Sequence, residues 1–455
     1  MRYTTILPFA AAATWAFVIP NEVIADQIAL ETEPIHDEWS WWDSVPSLGD
    51  LRSSAEDVSS TALNAVHDGA KSLVDSLPEI DFEIPDFLIT SWESEHPGKG
   101  RKGHHGHHGH HEASNLTVYQ AIQESKYSTR FAKLVDEYPD IVKVLNSTHH
   151  NITAFIPTDK AFEKIPDHHK EPPKDFIEKV LEYHVVPGLY PAGRILASHT
   201  LPTLVKEDAL GDKPQRLRVS IGLFGLRVNF YSKVVVANIF VKNGVIYGVD
   251  SILVPPPPAP RIISLFPQKF STLLLAGEKT GLGKELHGLP KTTGGTIFAP
   301  TNWAFEKLGP GANAFLFNTE KGLGYLKALL KYHIVINETL YSDAYYGKDD
   351  KSDVNSESAQ YHIDLPTLLD EKSLSIDIAR WGGFISFKIN GFTRVSIQDG
   401  VAKDGVVQVL DSVLIPPHEH HGDYIDGEEI EVEELVERLE PFLENKKEQI
   451  PTSEL

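Results

Sequence analysis

Apolar residues recur along this chain with two periods, and the same succession of periods is written twice. TAFIPTDKAF at 153–162 returns as TIFAPTNWAF at 296–305. In each copy a short β-rich run is halted by a proline, Pro157 or Pro300, and a helical pattern follows. Phe176, Ile177, Val180, Leu181 and His184 then lie at helical spacing, as do Tyr325, Leu326, Leu329, Leu330 and His333. Each series runs into a β-branched pair, Val185-Val186 or Ile334-Val335. A third pattern, NGVIYGVDSILVPP from Asn243 and DGVVQVLDSVLIPP from Asp404, sets a hairpin dipeptide before an alternating apolar strand. That strand is predicted to close its domain's sheet.

A fourth match, Lys126-Tyr-Ser-Thr129 with Lys269-Phe-Ser-Thr272, precedes the others. Lys126/Lys269 and Thr153/Thr296 are 143 residues apart, Phe176/Tyr325 149, and Asn243/Asp404 161. Four matches in one order make a domain repeat, and the growing spacing places insertions in the second copy. The polar run from Tyr341 to Gln360 is predicted as the main one, a surface loop. The copies span 114–257 and 260–417, joined by the prolines 255–258 as a short, stiff connector.

The ends follow other patterns. Arg2, the apolar stretch from Ile6 to Pro20 and Val23-Ile24-Ala25 have the composition of a secretory signal peptide over residues 1–25. Residues 26–113 read as a flexible, low-order acidic segment with a candidate amphipathic helix (Leu51, Ala55, Val58, Ala62, Val66, Ala70, Leu73, Leu77), ending in a Gly/His linker. Residues 418–455 form an acidic tail in which Val432, Leu435, Val436, Leu439 and Phe442 stripe one helix face. Either stripe can dock on the repeats or on a partner.

The repeat also weighs the candidate residues. Thr158, Asp159, Thr301 and Asn302 stand where helices begin, and Asp and Asn both cap helices well. A catalytic acid would not be exchanged for an amide, so these positions read as structural caps. Tyr183-His184 and Tyr332-His333 have two readings: buried groups bonded to backbone at a helix-to-strand junction, or a recognition surface.

Together these signatures resemble the fasciclin-type domain, a module of cell adhesion and matrix proteins. Its pattern of Thr-x-Phe-x-Pro-Thr-Asp/Asn-x-Ala-Phe, a central Tyr-His and a Gly-Val strand ending in Asp-x and proline occurs here twice, in order. The resemblance implies an α+β fold, two tandem domains each with a β-wedge flanked by helices, and binding rather than catalysis. It also links Tyr183, His184, Tyr332 and His333 to adhesion. The layout looks like fungal members, some at the cell surface and some vacuolar.

Composition narrows the class further. With 42 basic and 64 acidic residues the net charge is −22, which disfavours nucleic acid and anionic membranes as partners. Cysteine is absent, so disulfides and thiol chemistry are excluded. Sequons at Asn115, Asn146, Asn151 and Asn337 predict glycosylation in the secretory pathway. His104, His105, His107, His108, His110 and His111 could bind Zn²⁺, Cu²⁺ or Ni²⁺, and His418, His420 and His421 form a shorter cluster. A solvated linker is the plainer reading. The 21 histidines also suggest a response to acid. GEKTGLGKE from Gly277 imitates a phosphate loop, but its spacing is wrong and Glu285 stands where Ser or Thr must hold Mg²⁺.

No nucleophile elbow or zinc helix is present, and no cofactor is implied. The expectation is a non-enzymatic adhesion or interaction glycoprotein, secreted, at the cell surface or in the vacuole. Its partner would be a protein or polysaccharide there. The alternatives are a vacuolar luminal protein assisting membrane or cargo handling, and a His-rich metal-binding or pH-responsive protein.

Overall fold

The computed structural model describes residues 114–165, 172–222, 225–287, 292–343, 358–369, 372–381, 384–417 and 429–443. The N-terminal stripe and both His clusters lie outside them.

The first domain begins with three short helices, α1 (Val118–Glu124), α2 (Thr129–Asp136) and α3 (Pro139–Asn146). Then come β1 (Ile152–Pro157), α4 (Asp159–Glu163), α5 (Lys174–Tyr183), β2 (Val185–Pro187) and α6 (Ala192–Ala197). It ends with β3 (Thr200–Glu207), β4 (Lys213–Gly222), β5 (Gly225–Val228), β6 (Ser232–Val241) and β7 (Gly244–Val249). The second domain repeats the plan with α7 (Ala259–Ser264), α8 (Pro267–Thr280), α9 (Leu282–His287), β8 (Gly295–Pro300), α10 (Asn302–Glu306), α11 (Gly309–Asn318), α12 (Glu320–Tyr332) and β9 (Ile334–Ile336). β10 (Ser358–Pro366), β11 (Ser373–Trp381), β12 (Phe384–Ile389), β13 (Thr393–Ala402), β14 (Gly405–Leu410) and a last helix, α13 (Val432–Leu439), complete it.

The sheets run β2-β1-β7-β6-β5-β4-β3 and β9-β8-β14-β13-β12-β11-β10, one order used twice. β1/β7 and β8/β14 are parallel; the other pairs are antiparallel. β2 also touches β3, so the first sheet curls into a barrel-like form with helices at its flank. Each fold is mixed helix and strand. In β1, Ile152, Ala154 and Ile156 face the cluster of helices α1–α3, and Phe155 faces the opposite core with Tyr183, Leu201 and Tyr247. The alternation along one buried strand thus joins two half-cores.

The hairpin dipeptides have a further duty. Asn243 accepts the Val118 N–H at 2.8 Å and donates to the carbonyls of Leu145 and Ser147, fixing helices α1 and α3 to the sheet. Asp404 accepts the Ala259 N–H at 2.7 Å in the same way. Gly244 follows because a Cβ there would lie 1.9 Å from the Ile152 carbonyl oxygen of the neighbouring parallel strand. The proline connector is held to this corner, with the Lys403 N–H donating to the Pro257 carbonyl at 3.0 Å.

Two expectations need correction. The run from Tyr341 to Gln360 is not a loop throughout: Tyr341 and Ser342 are buried, Ser358–Gln360 belong to β10, and only 344–357 lie outside the described residues. The second concerns the caps. Thr301 does cap its own helix through Ala304 N–H at 3.2 Å, but the Thr158 side chain makes no such bond. Asp159 and Asn302 instead reach to a neighbouring helix. Asp159 accepts the Arg130 N–H at 2.8 Å and the Thr129 hydroxyl at 2.9 Å, at the start of α2. Desolvation pushes its carboxyl up, but these hydrogen bonds and the Arg130 charge outweigh that and hold it below the ordinary value.

Asn302 meets a helix already under way. Its Oδ1 accepts the Thr272 N–H at 2.9 Å and its Nδ2 donates to the Gln268 carbonyl at 2.8 Å. The amide thus bonds both members of a donor and acceptor pair that an α-helix sets facing each other. There both a donor and an acceptor are required, whereas α2 offers Asp159 only donors. Asn302→Asp is therefore expected to cost about 1–3 kcal/mol by turning an acceptor toward the Gln268 carbonyl. Asp159→Asn keeps one acceptor and is expected to cost less, about 1 kcal/mol at most. Urea denaturation of both variants checks this; equal costs, or a larger one at Asp159, would contradict it.

Candidate functional site

The Tyr-His pairs lie in the interior of each domain. Tyr183, His184 and Tyr332 are 0% exposed and His333 2%. Each His terminates a helix, α5 or α12, and its ring bridges that helix to the segment after the closing strand. His184 Nδ1 lies 2.6 Å from the Val180 carbonyl, and its Nε2 accepts the Leu253 N–H at 2.9 Å. His333 does the same with Leu329 at 2.8 Å and Leu414 at 2.9 Å. Because a carbonyl can only accept and a backbone N–H can only donate, Nδ1 carries the proton, Nε2 is bare and both rings are neutral.

The tyrosines pin a different corner. Tyr183 donates to the Arg216 carbonyl at 2.9 Å and accepts from Asn229 Nδ2 at 2.9 Å; Tyr332 accepts from Asn390 Nδ2 at 3.1 Å. The leading Thr of each motif is a clamp as well. Thr153 donates to the Gly188 carbonyl and accepts the Tyr190 N–H; Thr296 donates to Glu338 and accepts from Leu340. These residues have their polar atoms committed inward, so none of them presents a surface in this conformation.

The other expected positions scatter. Asn115, Asn146, Asn151 and Asn337 are exposed, Asn146 at the end of α3 and the others in connecting segments. Asn146 accepts the Thr117 hydroxyl at 2.7 Å, and Asn337 accepts the Thr293 N–H at 3.0 Å. His104–His111 lie outside the described residues. Among the described residues no group of three or more His, Asp or Glu converges as a metal requires, and no helix is long and apolar enough to cross a membrane. The imitation phosphate loop is two helices, α8 and α9, whose Glu285 pairs with Lys327 at 2.6 Å and Lys331 at 2.8 Å.

The concentration of charge lies elsewhere, where β4 of the first domain meets β13 of the second. Asp343 accepts the N–H groups of His199 and Thr200 at 3.0 and 2.6 Å and the Thr200 hydroxyl at 2.5 Å. Arg216 lies 3.6 Å from Asp343 and donates to Thr200 Oγ1 at 2.6 Å. Arg218 donates through Nε to the Gln398 carbonyl at 2.8 Å, and Gln215 donates to that of Ala402 at 3.2 Å. Asp399, buried, accepts the Ser342 N–H at 2.7 Å and its hydroxyl, with His199 Nδ1 4.0 Å away. Burial, and then the Asp343 charge, push the Asp399 carboxyl up; burial brings the Arg218 guanidinium down to about 10, opposed by Asp399.

The first domain supplies an internal control for these charges. Asn238 occupies the place of Asp399: both have positive φ, 63° and 60°, and Asn238 accepts the Ala192 N–H at 3.0 Å as Asp399 accepts that of Ser342. Ser375 occupies the place of Arg218, since Asn390 accepts its N–H as Asn229 accepts that of Arg218. A neutral amide therefore satisfies the fold, and the carboxylate of Asp399 is particular to the domain junction. Sequence reasoning passed over this cluster because it lies outside the matched motifs. Aligning β6 with β13, SKVVVANIFV with TRVSIQDGVA, would have set Asp399 opposite Asn238.

The buried histidines have a pH consequence. Burial lowers His184 and His333 to about 4 from an ordinary 6.5, against the raising effect of their carbonyl partners. The unfolded chain takes up these protons first, so the stability they confer is complete above about pH 6.5 and is lost as pH falls toward 4. The loss is on the order of 3 kcal/mol per domain. Nitrogen NMR is expected to find both rings neutral, with the proton on Nδ1, down to pH 5. Titration near 6.5 would contradict the burial.

Comparison with known proteins agrees with the repeat read along the chain. The fasciclin domain family model matches residues 126–255 and 268–416. Aurofusarin biosynthesis cluster protein S of Gibberella zeae is 31% identical over 326 residues, 67% of this chain and 78% of that protein. Stabilin-2 of Mus musculus is 27% identical over 203 residues, 40% of this chain but 7% of stabilin-2. A solved FAS1 domain pair from the insect cell adhesion molecule fasciclin I aligns with TM-score 0.31 and 17% identity, covering 63% of this chain and 96% of that one. With both repeats matched by one family model, the chain belongs to the fasciclin domain family.

Proposed function

We propose that this protein is a non-enzymatic adhesion or interaction glycoprotein of the secretory pathway, offering two fasciclin domains as one rigid binding body. The observation that carries the reading is the charged junction. Two domains fixed relative to each other present their outer surfaces at one spacing, which raises avidity for a repetitive partner. Protein or polysaccharide at the cell surface fits that geometry, and nucleic acid does not fit a chain of net charge −22. The inward commitment of Tyr183, His184, Tyr332 and His333 directs attention to exposed side chains such as Tyr127 and Trp303, 79% and 54% exposed.

A second reading draws on the relative named for aurofusarin biosynthesis, matched over two thirds of this chain. In it the same binding body assembles enzymes of a biosynthetic route instead of cells or matrix. Localisation separates it from adhesion. A tag inserted within residues 348–353, clear of the buried Tyr341 and Ser342, is expected to report at the cell wall or in the medium, on a chain shifted in mass by glycosidase. Retention in the vacuole, or an unshifted mass, would overturn the surface glycoprotein reading.

A further inference from the structure

On β6 of the first domain, Val235, Val236 and Ile239 are 49%, 46% and 43% exposed. Of the matching positions on β13, Ser396 is exposed as Val235 is, while Ile397 and Gly400 are half-buried. Ile397 packs against the buried cluster that includes Ala259, Ile263 and Phe270, and the adjoining carbonyls of Gln398 and Ala402 take donors from the first domain. β5 pairs with β6 only at Ser232 and Lys233, so it leaves the rest of that strand's outer edge uncovered. The first domain thus leaves an apolar face at Val236 and Ile239 more open than its counterpart in the repeat.

Three observations indicate what closes it. First, the chain enters the fold at this edge: Ser114 donates to the Phe240 carbonyl at 3.2 Å and bridges Val241 in parallel, and Lys242 N–H donates to Leu116 at 2.8 Å. Residues before 114 therefore set out from the end of the same strand. Second, the charges are complementary. Residues 26–96 hold 17 Asp and Glu against Arg52 and Lys71. The patch is bordered by Arg227, Lys233 and Lys242, with Asp250 turned toward the Lys233 N–H and Lys164. Third, the other end of the chain does the same on the second domain: the acidic stripe Val432–Leu439 seats Leu435 and Leu439, both 0% exposed, against α11 and α12.

We propose that the acidic, apolar-striped segment between residues 26 and 96 folds back on the β6 face of the first domain. Its apolar stripe covers Val235, Val236 and Ile239, and its carboxylates meet the basic border. The Gly/His stretch 97–113 is the tether.

Photo-crosslinking in the full-length chain tests this, with Val236→benzoylphenylalanine as the probe. Val236 is half exposed, so the change leaves the fold intact. In a dilute mixture of isotope-labelled and unlabelled chains, crosslinks are expected within one chain and onto residues 26–96. Their yield is expected to fall several-fold between 50 and 500 mM salt. Crosslinks between labelled and unlabelled copies would assign the face to self-association and overturn the proposal. So would an absence of crosslinks onto residues 26–96 alongside an unchanged circular dichroism spectrum.

Discussion

Two carboxylates and two guanidinium groups meet where the first fasciclin domain touches the second, and the relative placement of the domains depends on them. Taking such groups out of water costs several kcal/mol per ion, recovered only if every polar atom finds a partner. Here Asp343 and Asp399 accept five backbone N–H and hydroxyl donors besides facing Arg216, Arg218 and His199. An arrangement of that kind is satisfied in one geometry and poorly in neighbouring ones, which favours a fixed pose over a hinged one. Apolar contact alone would tolerate sliding.

Within each domain the same logic works at smaller scale. A Thr, a His and an Asn or Asp from the motif each bond backbone that is distant in sequence, and the apolar residues between them fill the two half-cores. The motif is therefore a set of cross-links between helix, strand and turn written along ten-residue stretches. Its strength as a sequence signal follows from that: few other residue types offer a donor and an acceptor at those places. The imidazole bridges also make each domain sensitive to acid from within.

Much of this was legible in the sequence. The repeat, the strand-to-helix corners, the hairpins and the apolar stripe of the last helix all follow from period and spacing, because local geometry sets them. What escaped was set by tertiary partners. Asp159 looks like a cap for its own helix, and only the approach of α2 makes it a cap for another. Tyr341 and Ser342 read as the start of a polar loop, yet β13 and β14 bury them, and Arg216 of the first domain lies over the Tyr341 ring. Asp399 sits in a strand that looks like any other until Arg218 is brought against it. Such residues carry a trace only when the two repeats are set side by side, where Asn238 and Ser375 show what the fold needs without a neighbour.

The fixed pose of the two domains is the central claim, and an interdomain distance distribution tests it most directly. Spin labels at the exposed positions Lys143 on the first domain and Lys284 on the second, measured by pulsed electron resonance at neutral pH, should give one narrow peak. The same peak should persist at 500 mM salt, because Asp399 is buried and the charges around it half-buried, so they are screened less than surface pairs. A broad distribution, or one that widens with salt, would show domains moving independently and contradict the account.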